Sequence, residues 1–208
     1  MPMSDERKVL RTTLLPQLME TAEYNVHRRE TGVALFELGR VFISQEKKLS
    51  RQPDERWMVA GLVTGAVHLP HWQKGENTPD FFTLKGHLEM MFARIGLGTL
   101  TFEAAQPAGY HPGRTAVIKQ DGDTIGLIGQ IHPKTAAAHD LGDTYGFELE
   151  LAPIVEKALQ QNLRYQTLPK YPDTTRDLAL VVDEKIPVAD RDRTIRSAGG
   201  ELLRSVSL

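Results

Sequence analysis

The chain has 208 residues, 25 Lys plus Arg against 27 Asp plus Glu, and a formal net charge of −2 at pH 7, which suits one domain with or without a small second one and confines any nucleic-acid contact to a local patch. At 40% hydrophobic and 25% charged residues its composition is that of an ordinary globular protein. With no cysteine it has no disulfide, thiolate metal site or cysteine nucleophile, which fits a cytoplasmic location; no apolar run reaches the ~18 residues of a membrane span, and the first residues lack a signal-peptide core.

A polar opening leads into a helix near Pro16, where a missing N–H costs little in the first turn. Leu15, Leu18, Met19, Ala22 and Val26 recur at helical spacing and predict its buried face. Gly32 is the predicted stop. VALFELGRVF (Val33–Phe42) is β-rich and apolar on both faces, which predicts an interior strand rather than an edge. The solvated loop EKKLSRQPDER separates it from WMVAGLVTG (Trp57–Gly65), a second strand expected to be covered on both faces. AVHLPHWQKGENTP reads as a long polar loop. DFFTLKGHLEMMFARIGLG is the clearest helix. Asp80 can cap its first turn, Leu84, Leu88, Met91, Phe92 and Ile95 share one face, and Gly96 or Gly98 can end it in a left-handed conformation.

TAVIKQDGDTIGLIGQIH predicts a hairpin turned at Asp121-Gly122. YGFELEL alternates, with Phe147, Leu149 and Leu151 on one face and Glu148 and Glu150 on the other. A short helix from Pro153 should bury Ile154, Val155, Ala158 and Leu159. Pro169 and Pro172 punctuate a polar connector, which puts a domain boundary near 163–173. Beyond it, RDLALVVD (Arg176–Asp183), a charged helix around VADRDRTIRSAGG, and LLRSVSL predict β-α-β. Those three elements alone have unpaired edges and little core, so the second domain is expected to be cut short. The expectation is an α+β domain on a largely antiparallel sheet with flanking helices over 1–163, a linker over 164–173, and the first part of a second domain over 174–208.

PMSDERKVLRTTLLPQL, LFELGRVF, DFFTLKGHLE, HPGRTAVI, IGLIGQIHP, FELEL and YPDTTRDLALVV, in that order, resemble the β subunit of bacterial phenylalanyl-tRNA synthetase across essentially the whole chain. The resemblance implies a class II synthetase fold over 1–163 that has lost catalysis. It implies that 174–208 open a ferredoxin-like anticodon-binding domain. It further implies a catalytic α subunit as partner in an α₂β₂ enzyme that joins phenylalanine to tRNA(Phe). ATP and Mg²⁺ would be cofactors of that whole enzyme, with none held by this part.

Class II domains bind ATP through short motifs. The second ends a strand with Arg, one residue, then Glu, and the Arg fork suits a pair of phosphate oxygens. GRVF resembles the approach to that motif, but Ile43, Ser44 and Gln45 follow. An alkyl group stands in place of the guanidinium and an amide in place of the carboxylate. The third motif needs another Arg on a strand-to-helix step. The corresponding YGFELELAPI has no Arg or Lys, and Glu148 and Glu150 would repel a triphosphate. Losing one such donor typically costs ~100-fold or more in rate. No catalytic, cofactor-binding or metal-ligating residue is therefore assigned, and the chain alone is expected not to activate an amino acid. Arg40 reads as a structural or interface residue.

The phosphate loops GxGxxG and GxxxxGK and the nucleophile elbow GxSxG are absent. His68 and His71, with His87 in range, could begin a metal site or a metal hydrolase, but such sites need three or four convergent ligands, and a solvated loop is the plainer reading. HPGR (His111–Arg114) and HPK (His132–Lys134) read as a strand entrance and a strand exit, or as the lining of an old pocket. Arg191, Arg193 and Arg196 form either a solvated helix face or, in the anticodon-binding reading, phosphate contacts to tRNA; Arg176 could join them or pair locally. An exposed apolar interface is expected, through which the chain binds the α subunit or self-associates. The alternative is a stand-alone RNA- or ligand-binding module that reuses the fold.

Overall fold

Residues 8–46, 50–66, 78–161 and 170–207 are described in a computed structural model. The chain divides into two units, Met1–Arg164 and Tyr165–Leu208. Most of the expected linker, and both His68 and His71, lie outside the described residues.

The first unit is built on one antiparallel sheet. Its strands are β1 (Gly32–Ile43), β2 (Asp54–Gly65), β3 (Leu100–Ala104), β4 (Tyr110–Gln120), β5 (Asp123–Ile131) and β6 (Thr144–Glu150), in the order β1-β2-β6-β5-β4-β3. The β4–β5 turn uses Asp121 at φ 52 and Gly122 at φ 92, the left-handed pair that a tight hairpin requires. Helices α1 (Leu15–Val26), α2 (Phe81–Arg94), α3 (Pro133–Ala138) and α4 (Leu151–Gln160) flank the sheet. On one face, Leu14, Leu15, Leu18, Met19 and Ala22 pack with Val33, Val41, Ala60, Leu62, Tyr110 and Ile131. On the other, Leu84, Leu88 and Phe92 of α2 and Ile154 of α4 pack with Val63, Ile118, Ile128, Phe147 and Leu149. Each buried Val, Leu, Ile, Met or Phe among them contributes about 1.5–3 kcal/mol, so two separate cores hold the sheet.

Local chemistry sets the helix ends. Asp80 accepts the Thr83 N–H at 2.7 Å while Thr83 Oγ1 accepts the Asp80 N–H at 3.3 Å, a reciprocal cap on α2. Gly96 at φ 74 closes the other end. α1 carries its proline in the first turn, but it stops at Val26 rather than at Gly32. Arg29 takes the left-handed φ of 70, and Gly32 opens β1.

Several expectations are corrected. β1 is an edge strand, not an interior one. Val33 and Val41 are buried under α1, whereas Phe36 is 80% and Leu38 54% exposed. An apolar run says that both faces prefer cover, not which neighbours supply it. β2 is covered through Ala60–Thr64, but Trp57 lies half exposed. α4 begins at Leu151, and it buries Ile154 while Val155 and Leu159 point outward. Ile95 is the outward C-cap residue of α2. β3 and α3 are additional to the predicted elements. HPK is the expected strand exit, since β5 ends at Ile131; the added α3 starts there because Pro133 suits a first helical turn and His132 Nδ1 accepts the Lys134 N–H at 3.2 Å.

The second unit contains α5 (Val188–Gly199) and one 3₁₀ turn, Gly200–Leu202. No strand forms among its described residues. The run predicted as a strand at Arg176–Asp183 leaves Leu178, Leu180 and Val181 exposed. A strand needs a ladder partner for its N–H and C=O groups, and this run has none among the described residues. Among the described residues of the chain, no helix is long and apolar enough to cross a membrane.

Candidate functional site

The two expected nucleotide motifs fall on the β1–β2 hairpin and on the step from β6 into α4. The α1 face of the sheet between them is occupied by the chain itself. Ile43 packs against the α1 core rather than facing solvent. Ser44 Oγ accepts the Glu46 N–H at 3.1 Å, and Gln45 is exposed. Glu148 of β6 accepts the Leu14 N–H at 2.6 Å and the Thr13 hydroxyl at 2.7 Å. It therefore seats the segment that enters α1. Leu14 and Leu15 are buried behind it, and the bare Cα of Gly146 makes room for Leu15.

Arg11 completes this cover. Its guanidinium lies directly over Gly39, where any Cβ would collide with it. It donates to Glu37 at 2.6 Å, to the Arg40 carbonyl at 2.8 Å and to Gln17, while the Arg11 carbonyl accepts the Phe42 N–H at 2.8 Å. The cation on this face is thus neutralised by Glu37 and fixed by the backbone. Tyr110 is buried nearby, and its hydroxyl has no hydrogen-bond partner. Burial first, and the Glu148 charge second, push its ionisation far up, so it stays neutral. No part of this arrangement offers a free cation to a phosphate.

On the opposite face, Arg40 pairs with Glu55 at 2.7 Å and lies over the Trp57 ring at 4.9 Å. Phe36 and Leu38 share that side of β1, opposite Gly61 and Val59 of β2. Beside Trp57, residues Asp54, Glu55, Arg56, Glu150 and Val155 line an open cavity of about 530 Å³. Arg56 donates to Asp54 at 2.7 Å and lies 3.8 Å from Glu150; the Asp54 hydrogen bond foremost, then both carboxylate charges, raise its pKa. Three carboxylates against one guanidinium make this cavity unfavourable to a triphosphate. A second cavity, of about 470 Å³, is lined by Phe81, Phe82, Phe102, Arg114 and Tyr145. HPGR therefore does contribute to a cavity wall through Arg114, which also donates to Gln130 at 2.9 Å. His111 Nδ1 accepts the Gly113 N–H, and His87 is exposed on α2.

In the second unit the three α5 arginines have local partners. Arg191 donates to the Ile186 carbonyl at 2.8 Å, Arg193 lies 3.3 Å from Asp190, and Arg196 lies 2.7 Å from Asp192. Arg176 donates to the neighbouring Thr175 carbonyl at 3.2 Å.

One cluster has no counterpart in the sequence reading. His139 Nδ1 is 2.7 Å from Glu23 Oε2, and His27 Nε2 is 3.0 Å from Asp140 Oδ2. The Glu23–His27 spacing of four on one helix was the available signal.

The sheet and helices are similar to the crystal structure of pyrrolysyl-tRNA synthetase from Desulfitobacterium hafniense, with a TM-score of 0.52 at 13% identity over 71% of this chain and 49% of that one. The fold is thus that of a class II aminoacyl-tRNA synthetase. Residues 1–151 match the phenylalanyl tRNA synthetase beta chain CLM domain. The whole chain aligns with phenylalanine–tRNA ligase β subunits from Halalkalibacterium halodurans, at 43% identity, and Geobacillus kaustophilus, at 41%, covering 26% of each. The chain belongs to the phenylalanyl-tRNA synthetase β-chain family and spans about a quarter of the length of these relatives.

Proposed function

We propose that this chain is a non-catalytic, architectural part of a cytoplasmic phenylalanine–tRNA ligase that attaches phenylalanine to tRNA(Phe) using ATP. The observation that carries this reading is the filled sheet face: Arg11–Leu15 and Ile43 occupy the ground between the two nucleotide motifs. Residues 1–163 then act as an inactive core, and ATP and Mg²⁺ belong to the catalytic α subunit. The relatives matched over the whole chain favour this over a stand-alone binding module.

The uncovered side of β1 is the proposed seat of the α subunit, because Phe36, Leu38 and Trp57 place apolar surface beside the Arg40–Glu55 pair. Self-association of isolated chains through the same surface is the competing use. Residues 174–208 are proposed to open a ferredoxin-like anticodon-binding domain. Its α5 arginines would exchange their local partners, the Ile186 carbonyl for Arg191 and the Asp190 and Asp192 carboxylates for Arg193 and Arg196, for tRNA phosphates. Their planar forks support that role.

ATP–pyrophosphate exchange tests the core of the proposal. The chain alone is expected to give none above blank with phenylalanine, and measurable exchange in a preparation free of α subunit overturns the reading. Co-purification with the matching α subunit tests the seat. Phe36→Lys with Leu38→Lys is expected to cut capture at least tenfold, and unchanged capture removes the β1 face from the interface.

A further inference from the structure

The last turn of α1 stacks Glu23 and His27 four residues apart on one side of the helix. Asp140 follows α3 in a left-handed conformation at φ 52 and brings Oδ2 to 3.0 Å from His27 Nε2. One donor atom from each of the three lies within 4.8 Å of the others. His139 holds Glu23 from the side through its 2.7 Å Nδ1–Oε2 contact. We propose that Glu23, His27 and Asp140 form a binding site for a first-row divalent metal, zinc above all, with His139 as the residue that positions the Glu23 carboxylate.

The donor set decides the class of metal. One imidazole and two carboxylates are zinc ligands, and three protein ligands leave a fourth position for water. The imidazole disfavours magnesium and calcium, which take oxygen ligands. Ligand atoms around a tetrahedral zinc sit about 3.4 Å apart, so side-chain shifts of about 1 Å close the site. His27 and Asp140 are 51% and 72% exposed, which lets them make that shift without disturbing either core. His27 is also the C-cap of α1, where the free carbonyls carry partial negative charge and favour a cation. An imidazole bonded to a ligating carboxylate is an outer arrangement that fixes ligand orientation. Bound zinc would tie the end of α1 to the turn between α3 and β6, a link that the His27–Asp140 and His139–Glu23 pairs make more weakly on their own.

Titration of the 208-residue chain with zinc chloride near neutral pH, followed by calorimetry, tests the site. One zinc per chain is expected at micromolar concentration, with a rise in unfolding temperature. His27→Ala and Asp140→Asn are each expected to weaken binding at least tenfold. Asn tolerates the left-handed backbone at position 140, so loss in that variant is not loss of the turn, and far-ultraviolet circular dichroism should be unchanged in both. His139→Ala is expected to weaken binding about tenfold, with recovery in His139→Asn, which keeps a donor near the Nδ1 position; no change in His139→Ala overturns the positioning role. A His68→Ala, His71→Ala double variant should bind as the parent does. Absence of binding at millimolar zinc, or binding that survives in His27→Ala and Asp140→Asn, overturns the site.

Discussion

Asp80 shows how much a single residue can carry. Its carboxylate accepts the Thr83 N–H, chiefly for which reason its pKa lies below the ordinary 3.8. A folded value below the unfolded one gives stability that is complete above the unfolded pKa. That stability is lost as pH falls toward the folded pKa. Asp80→Ala is therefore expected to cost about 1 kcal/mol at neutral pH, read from the urea midpoint. Asp80→Asn should cost less and should remove this residue's share of the acid sensitivity. Tyr110 argues in the opposite direction. A buried, unpaired hydroxyl costs about 1–3 kcal/mol, so Tyr110→Phe is expected to keep or raise the midpoint, and a clear drop would mean the hydroxyl has a partner. The cap at Asp80 was legible in the sequence because its partner is three residues away. The burial of Tyr110 was not, because strands and a helix far along the chain supply its surroundings.

At the scale of elements, β1 is the instructive case. Its extent was readable almost to the residue, Val33–Phe42 expected against Gly32–Ile43 observed. Its place at the sheet edge was not, since β-branched and apolar residues suit a covered strand wherever the cover comes from. One side is held by the segment before α1. Leu14→Ala should cost about 2–5 kcal/mol, as a fully buried leucine does. Glu148→Ala should cost about 1–3 kcal/mol by leaving the Leu14 N–H without its acceptor, both measured by denaturant unfolding. On the other side Phe36 and Leu38 are exposed. Phe36→Lys with Leu38→Lys should therefore leave unfolding within about 0.5 kcal/mol of the parent, yet lower the sedimentation coefficient if the parent self-associates. α4 gives the matching lesson: its helix was legible, but its apolar residues divide between Ile154 inside and Val155 and Leu159 outside.

For the whole molecule, the two units differ in what holds them. The first has a six-stranded sheet between two cores. The second has α5 and a 3₁₀ turn, with no ladder among its described residues. Amide hydrogen exchange follows paired, buried backbone. Amides of β5 and β6 are expected to be the slowest and those of 174–183 among the fastest, as read by mass spectrometry of the intact chain. Slow exchange at 176–183 would mean that the run has found a strand partner in solution.

The sequence by itself determined the local chemistry: the Asp80 cap, the Asp121-Gly122 turn, the helix periods, and the uncharged run Ile43–Gln45. Each depends on neighbours within a few residues, and backbone sterics or side-chain type settle it. Only the tertiary structure decided that β1 is an edge, that Arg11 lies over Gly39, and that Glu148 seats a backbone amide 134 positions away. It alone brought Asp140 to the end of α1. Those contacts follow from how strands are ordered across a sheet, and a hydrophobic pattern states which residues seek cover without naming the partner that provides it.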